Sequence, residues 1–242
     1  MCGRFNLRTP ASQLAAFFDI VFDPPLQTSL APRFNIAPSQ PVLVVRRAAA
    51  AAAADRTEGA LVHWGLVPSW TKDPSIGNRM INARGETVAE KPSFRSAFRH
   101  RRCLVPASGF YEWQKMTGSR KQPWHIHRPD DAPLAFAGIW EHWEAEDGSV
   151  LQTCAIITTD ANSQMAPIHH RMPVILDPPD FPAWLDPQHD DHDQLQRLLQ
   201  PCPDETLVAD PIDTWVNRPA NDGPDCLRPV DESAAGDGVL FE

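Results

Sequence analysis

The chain lacks most of the signatures by which a 242-residue sequence announces its chemistry. No apolar run approaches the ~20 residues that a membrane helix needs. The most apolar early stretch, Leu14 to Phe22, is short and contains Asp19, and no basic region or cleavage site precedes it, so neither a membrane span nor a signal peptide is expected. The five cysteines (Cys2, Cys103, Cys154, Cys202, Cys226) are widely spaced, odd in number and form no CxxC. That spacing argues against a disulfide framework or structural zinc, and for reduced thiols in a cytosolic protein. There is no GxSxG, P-loop, GxGxxG or HExxH, and the histidines do not fall at metal-ligand spacing with the cysteines. His125 and His127 alternate on one strand face as a weak metal pair at most; no metal and no cofactor is expected.

Charge is unevenly spread. The formal net charge is −9, which by itself argues against nucleic acid. Yet seven bases stand against two acids between Arg79 and Arg102, and ten acids against two bases from Pro203 onward. A basic surface on an acidic protein is compatible with this, as is a set of solvated or salt-bridged arginines.

The periodicity predicts many short strands and few short helices. Strands are expected at Pro41–Arg46, Leu61–Leu66, Cys103–Pro106, Gly109–Trp113, Trp124–His127, Ala135–Ile139 and Thr153–Thr159. Helices are expected at Gln13–Phe18 with Ser12 as cap and Asp23-Pro24-Pro25 as stop, and at Ser93–Arg99, Asp160–Met165, Pro179–Leu185 and Asp191–Leu199. Arg33 to Pro38 reads as extended, Trp70 to Asn78 as loop, and Thr206–Val208 as one late strand. Seven alanines, Ala48 to Ala54, lack an amphipathic pattern and read as an insertion in a surface hairpin, about 48–58. The fold class is therefore α+β: one compact domain over 1–242 with a largely antiparallel sheet or barrel core, short flanking helices and an acidic tail at about 230–242.

The N-terminus, Met1-Cys2-Gly3-Arg4-Phe5, carries the most distinctive chemistry. With Met1 removed, Cys2 presents an amine with pKa about 7.7–8.0 and a thiol of about 8.5 on adjacent carbons. A 1,2-aminothiol condenses with an aldehyde to an imine, and the thiol closes it to a five-membered thiazolidine. An internal cysteine cannot do this; a frayed, inert terminus is the plain alternative. Three more places qualify. Glu112, flanked by aromatics in a strand, becomes a useful proton carrier if it faces inward, and is inert if Tyr111 and Trp113 take the core instead. His169 and His170 adjoin; on an extended chain only one of them enters a given pocket, and either role, structural or catalytic, is open. Asn82 reads equally as a turn residue.

Seven ordered segments, MCGRF at 1–5, RFNIAPSQ at 33–40, WGLVPSW at 64–70, INARGET at 81–87, PASGFYEW at 106–113, TTDAN at 158–162 and IHHRMPVIL at 168–176, resemble the SRAP family, the SOS response-associated peptidase-like, abasic-site processing proteins. The resemblance implies covalent capture of abasic sites in single-stranded DNA through a thiazolidine at Cys2, with abasic-site lyase and self-processing peptidase activity. It implies that Cys2 is the nucleophile, that Asn82 orients the amine or the sugar, that Glu112 shuttles protons, and that His169 opens the sugar ring or steadies its hydroxyls. Arg4, Arg84 and Arg171 would hold phosphates, and Trp70 and Pro38 would pack on flanking bases. The expected partner is single-stranded DNA bearing abasic sites, engaged by a cytoplasmic monomer. Thr71 stands where some relatives carry a second tryptophan, and His170 where some carry an acid. Two other readings remain: an N-terminal-nucleophile hydrolase of the glutamine amidotransferase kind, which also starts Met-Cys-Gly, and a noncatalytic single-strand binder.

Overall fold

The computed structural model describes residues 2–48, 56–189 and 191–230. In chain order the elements are β1 (Phe5–Leu7), α1 (Ala11–Phe18), α2 (Pro24–Ser29), β2 (Arg33–Ile36), β3 (Pro41–Arg47), β4 (Thr57–Trp64), β5 (Asn82–Arg84), α3 (Arg95–His100) and β6 (Arg102–Ala107). Then follow β7 (Gly109–Lys115), β8 (Lys121–His127), β9 (Leu134–Glu144), β10 (Val150–Asp160), β11 (Arg171–Pro173), β12 (Ile175–Leu176), α4 (Phe181–Leu185), α5 (His192–Arg197) and β13 (Val208–Pro211).

The strands pair into two sheets. In the larger, β10, β4, β3, β6 and β9 pair in succession, and β9 pairs back onto β10, closing a five-stranded barrel. Closure leaves no edge among these five. The barrel is mostly antiparallel, as expected, but β10 runs parallel to both β4 and β5. The second sheet has the order β13-β8-β7-β1-β2. Phe5 joins the two: its ring makes edge contacts with Trp64 (5.2 Å) and Phe136 (6.0 Å), and all three are buried. The first eight residues of β9, LAFAGIWE, are buried on both faces, which explains a continuous apolar run where a half-exposed strand would alternate.

All seven expected strands are present, several of them longer than expected. The helices differ more. Helix α1 starts at Ala11 with Pro10 as its N-cap, so Ser12 lies inside it, and it ends at Asp19 in the left-handed conformation. The Asp23-Pro24-Pro25 expected to stop it instead begins α2: Asp23 accepts from Leu26 N (3.0 Å) and proline takes the first position, where its missing N–H costs nothing. No helix forms at 160–165. Asp160 ends β10, and Asn162 caps a run of turns by accepting from Met165 N (3.0 Å). The end of the expected loop lies in a 3-10 turn, Pro74–Arg79, and the late strand is β13, which starts two residues after the expected place. Residues 49–55 and 231–242, the core of the alanine insertion and the acidic tail, lie outside the described residues.

The last described stretch wraps the second sheet. Asp222 accepts from Phe34 N (2.5 Å), Asn35 N (2.9 Å) and Arg33 Nε (2.6 Å), while Asn35 Nδ2 donates to the carbonyls of Val216, Arg218 and Asn221. Tyr111, Ile212, Val216 and Cys226 form a small separate core beneath this wrap. It is why both Tyr111 and Glu112 are buried: one face of β7 meets the wrap and the other meets the barrel.

His125 is enclosed in the same sheet. Its Nε2 accepts from Asn6 Nδ2 (3.0 Å), its ring stacks on His127 (4.6 Å), and a side chain on Gly109 would collide with it. The two histidines do share a face, but among the described residues they belong to no cluster of three metal ligands. Burial, then the neighbouring His127 and Arg8, push the His125 pKa down to about 3. The unfolded chain takes up this proton near the ordinary value of about 6.5 and the folded chain refuses it, so stability falls with pH by up to ~1.4 kcal/mol per unit in that window. His125→Gln, which keeps an acceptor for Asn6, is expected to flatten this acid limb. Urea midpoints across the pH range check it, and parallel curves for the two proteins would refute it.

Candidate active site

The N-terminus is drawn into the molecule by β1. Phe5 pairs with Ile36 on one side and Phe110 on the other, and Tyr111 N donates to Arg4 O (2.9 Å). Cys2 is consequently fully buried. Its carbonyl accepts from Asn82 Nδ2 (2.8 Å), and Asn82 is held by β5, which pairs with β10 at Ile156. Asn82 is therefore a strand residue with a defined partner in the N-terminus.

Glu112 faces the barrel side of β7 and is 4 % exposed. Burial raises the Cys2 thiol pKa well above its ordinary range, and the nearby Glu112 charge raises it further. His169 is held below its ordinary value by burial, with Glu112 opposing that shift. One carboxylate thus acts electrostatically on both groups. His169 Nδ1 lies 3.0 Å from the main-chain N of Arg171 and 3.2 Å from its carbonyl oxygen, so the Arg171 backbone holds this edge of the ring in either tautomer. The adjacent histidines do not diverge: residues 163–168 are turns, His169 N bonds Met165 O (2.9 Å), and the rings of His169 and His170 stack at 4.4 Å. Both line a cleft of about 520 Å³ with Glu112, Trp113, Lys115 and Lys121. Cys2 is not on its wall; Glu112 is the link between cleft and thiol.

The arginines differ in availability. Arg84 is exposed. Arg4 Nη1 donates to Asn35 Oδ1 (2.8 Å) and Val216 O (3.1 Å), with its guanidinium 5.7 Å from the Trp113 ring centre. Arg171 is buried and clamped by Glu86 (2.6 and 3.0 Å), Asp160 (2.7 Å) and Thr158 O (2.6 Å). The Arg171 bond holds the Glu86 carboxyl below its usual range. A phosphate reaching Arg171 has to displace these carboxylates, so its plainest role here is to fix the segment that carries His169. Trp70 is 62 % exposed, and Pro38 precedes Ser39, which adopts φ 68° and donates its hydroxyl to Asn78 Oδ1 (2.9 Å). That contact ties the Pro38 turn to the loop after Trp70. Residues not anticipated from sequence are Trp113, Lys115 and Lys121 on the cleft wall and the Glu86–Asp160 clamp. The pairing of Trp113 with Glu112 in PASGFYEW was the available signal; the lysines flank an unmarked hairpin.

The sequence model of SOS response associated peptidase (SRAP) matches residues 1–219. The chain belongs to the SRAP family. It is 40 % identical over 230 residues to the abasic site processing protein YoqW of Bacillus subtilis, covering 94 % of this chain and 99 % of that one. It is 36 % identical to the abasic site processing protein HMCES of Gallus gallus, over 83 % of this chain and 67 % of the relative. A crystal structure of a protein from Bacteroides thetaiotaomicron superposes with a TM-score of 0.84 at 28 % identity, covering 95 % of this chain and all of that one. As in that SRAP-like neighbour, the fold is a single α+β domain.

Asn82→Ala removes the side-chain bond to the Cys2 carbonyl. The expected cost is about 1 kcal/mol, a fall in Tm of about 2–4 °C, with faster amide exchange at Gly3. Thermal unfolding and exchange of the two proteins check it; unchanged exchange at Gly3 would show that the bond does not hold the N-terminus.

Proposed function

We propose that this SRAP protein processes abasic sites in single-stranded DNA by forming a covalent bond at Cys2 once Met1 is removed. The observation that carries the reading is an enclosed Cys2 whose carbonyl is held by Asn82 and whose thiol feels the same Glu112 carboxylate that acts on His169. The names borne by YoqW and HMCES, abasic site processing proteins, support an abasic site as the substrate.

The chemistry balances on this chain's own groups. The Cys2 amine attacks the aldehyde carbon of the ring-opened sugar. The carbinolamine oxygen takes up a proton and leaves as water, giving an imine. Cys2 Sγ adds to the imine carbon while its proton passes to the nitrogen through Glu112. The product is a thiazolidine plus one water. A thiol kept protonated by burial requires such a carrier, since its own ionisation is suppressed. His169, favoured neutral by burial, supplies a proton to the sugar oxygen as the ring opens. Asn82 fixes the Cys2 carbonyl, and so the direction of the amine beside it. Arg84, Trp70 and Pro38 supply phosphate and base contacts along the strand. Arg4 steadies the Trp113 wall, and the Arg171 clamp steadies His169. Loss of a C2′ proton from the imine, with departure of the 3′ phosphate, gives lyase activity; release of Met1 by the chain itself is the peptidase event. One chain supplies every group, so a cytoplasmic monomer suffices.

A denaturing gel tests the reading. Met1-processed protein is incubated with a single-stranded oligonucleotide carrying one abasic site, beside undamaged and double-stranded controls. A heat-resistant shifted band confined to the lesion is expected, absent in Cys2→Ala and formed about 10²–10⁴-fold more slowly in Glu112→Gln. No band from protein whose free N-terminal cysteine is confirmed by mass spectrometry overturns it.

A further inference from the structure

The cleft that holds His169 has walls from distant parts of the chain. Strand β7 supplies Glu112, Trp113 and Lys115, and the turns before His169 supply Ala166, Pro167 and Ile168. The turn segment is anchored at both ends. At its start Asn162 accepts from Met165 N (3.0 Å) and donates to Cys202 O (3.1 Å), and Ser163 N donates to Asp204 (3.0 Å). At its end stands the clamp of Arg171 on Glu86, Asp160 and Thr158. Neither set of bonds reaches across to β7.

Gln114 does reach across. Its Nε2 donates to the Pro167 carbonyl (3.0 Å). Proline carries no N–H, so a donor is what this contact calls for. Gln114 Oε1 accepts from Trp124 Nε1 (3.1 Å). An indole nitrogen only donates, so this second bond fixes which way the amide points. Trp124 on β8 stands directly opposite Glu112, and Gln114 is two residues beyond Glu112 on β7, so all three share one face of the sheet. The spacing is matched on the other wall. Pro167 precedes His169 by two residues, just as Gln114 follows Glu112 by two. The bond between Gln114 and Pro167 thus sets which part of the turn segment stands against the Glu112 carboxylate. Gln114 is not itself on the cleft wall; it joins the two walls from outside.

We infer that Gln114 is a positioning residue, which sets the placement of His169 against Glu112 through its bond to the Pro167 carbonyl. The inference rests on the reading of His169 as the group that supplies a proton to the sugar. Gln114 lies outside the cleft, so its loss acts on the rate of the chemical step and not on the affinity for the strand. A misplacement of about 1 Å can cost about 10²-fold in rate. One bond lost from a segment still anchored at both ends is expected to cost about tenfold.

Three variants of the full, Met1-processed chain test it. Gln114→Met keeps the volume and removes both bonds. Gln114→Glu keeps the acceptor for Trp124 and loses the donor, and serves should the first variant misfold. Gln114→Lys keeps a donor for Pro167. Single-turnover crosslinking of a single-stranded oligonucleotide with one abasic site is followed against oligonucleotide concentration at constant ionic strength. Gln114→Met and Gln114→Glu are expected to lower the maximal rate about tenfold, and Gln114→Lys to restore it. The half-saturating concentration in Gln114→Met is expected to stay that of the parent. An unchanged maximal rate in Gln114→Met, a loss confined to the half-saturating concentration, or a Gln114→Lys as slow as Gln114→Met overturns the inference; the last result would reduce Gln114 to a packing role. A second readout does not need the reaction. The His169 ring, assigned by its absence in His169→Gln, is titrated by NMR in the free protein. Burial holds it below its ordinary value, so in Gln114→Met its titration is expected to move up toward about 6.5, and in Gln114→Lys to stay with the parent. If the parent forms no crosslink, the reading at Cys2 fails while this titration still decides the role of Gln114: an unmoved His169 in Gln114→Met overturns it.

Discussion

Everything at the reactive end of this molecule depends on β1. Three residues, Phe5 to Leu7, lie between β2 and β7, and the Phe5 ring is locked between Trp64 and Phe136. Chain termini are usually left loose because nothing repays the entropy of ordering them. Here a buried aromatic and strand pairing on both sides do so, and the backbone at Cys2 inherits the order. The Asn82 bond then needs only to orient one carbonyl that is already in place.

A single buried carboxylate organises the electrostatics beyond that anchor. Burial keeps the Cys2 thiol protonated and Glu112 adds to that effect, while at His169 burial disfavours a second proton and Glu112 favours it. In the condensation proposed above, neutral groups around one proton carrier suit a reaction that begins and ends without net charge. A pre-ionised thiolate would instead suit acyl transfer, the amidotransferase alternative.

Much of this was legible in the sequence where the signal was local. Strand-forming runs such as Pro41–Arg46 and Thr153–Thr159 declare themselves, and Cys2, Asn82, Glu112 and His169 stand out by chemistry and by family resemblance. What was not legible depends on distant partners. β1 and β5 are three residues each and become strands only because β7 and β10 accept them. Whether Glu112 faced inward depended on the wrap at 212–230 covering the other side of β7, which no alternation within β7 reveals. Arg171 looks like any basic residue beside a histidine; only the fold brings Glu86 and Asp160 to it. Asp23-Pro24-Pro25 carries signals that serve equally to stop a helix or to start one, and here, with α1 already ended at Asp19, it starts α2.

The pairing of β1 also sets an order of events during synthesis. Its neighbour β7 ends at Lys115, and Asn82 is fixed only by β10, which ends at Asp160. Until these lengths of chain have left the ribosome, the first residues have nothing to pair with and Cys2 has no walls. A ribosome adds about 5–20 residues per second, so the N-terminus stays open for several seconds or longer. After it closes, the aminothiol is sheltered from other aldehydes and oxidants of the cell.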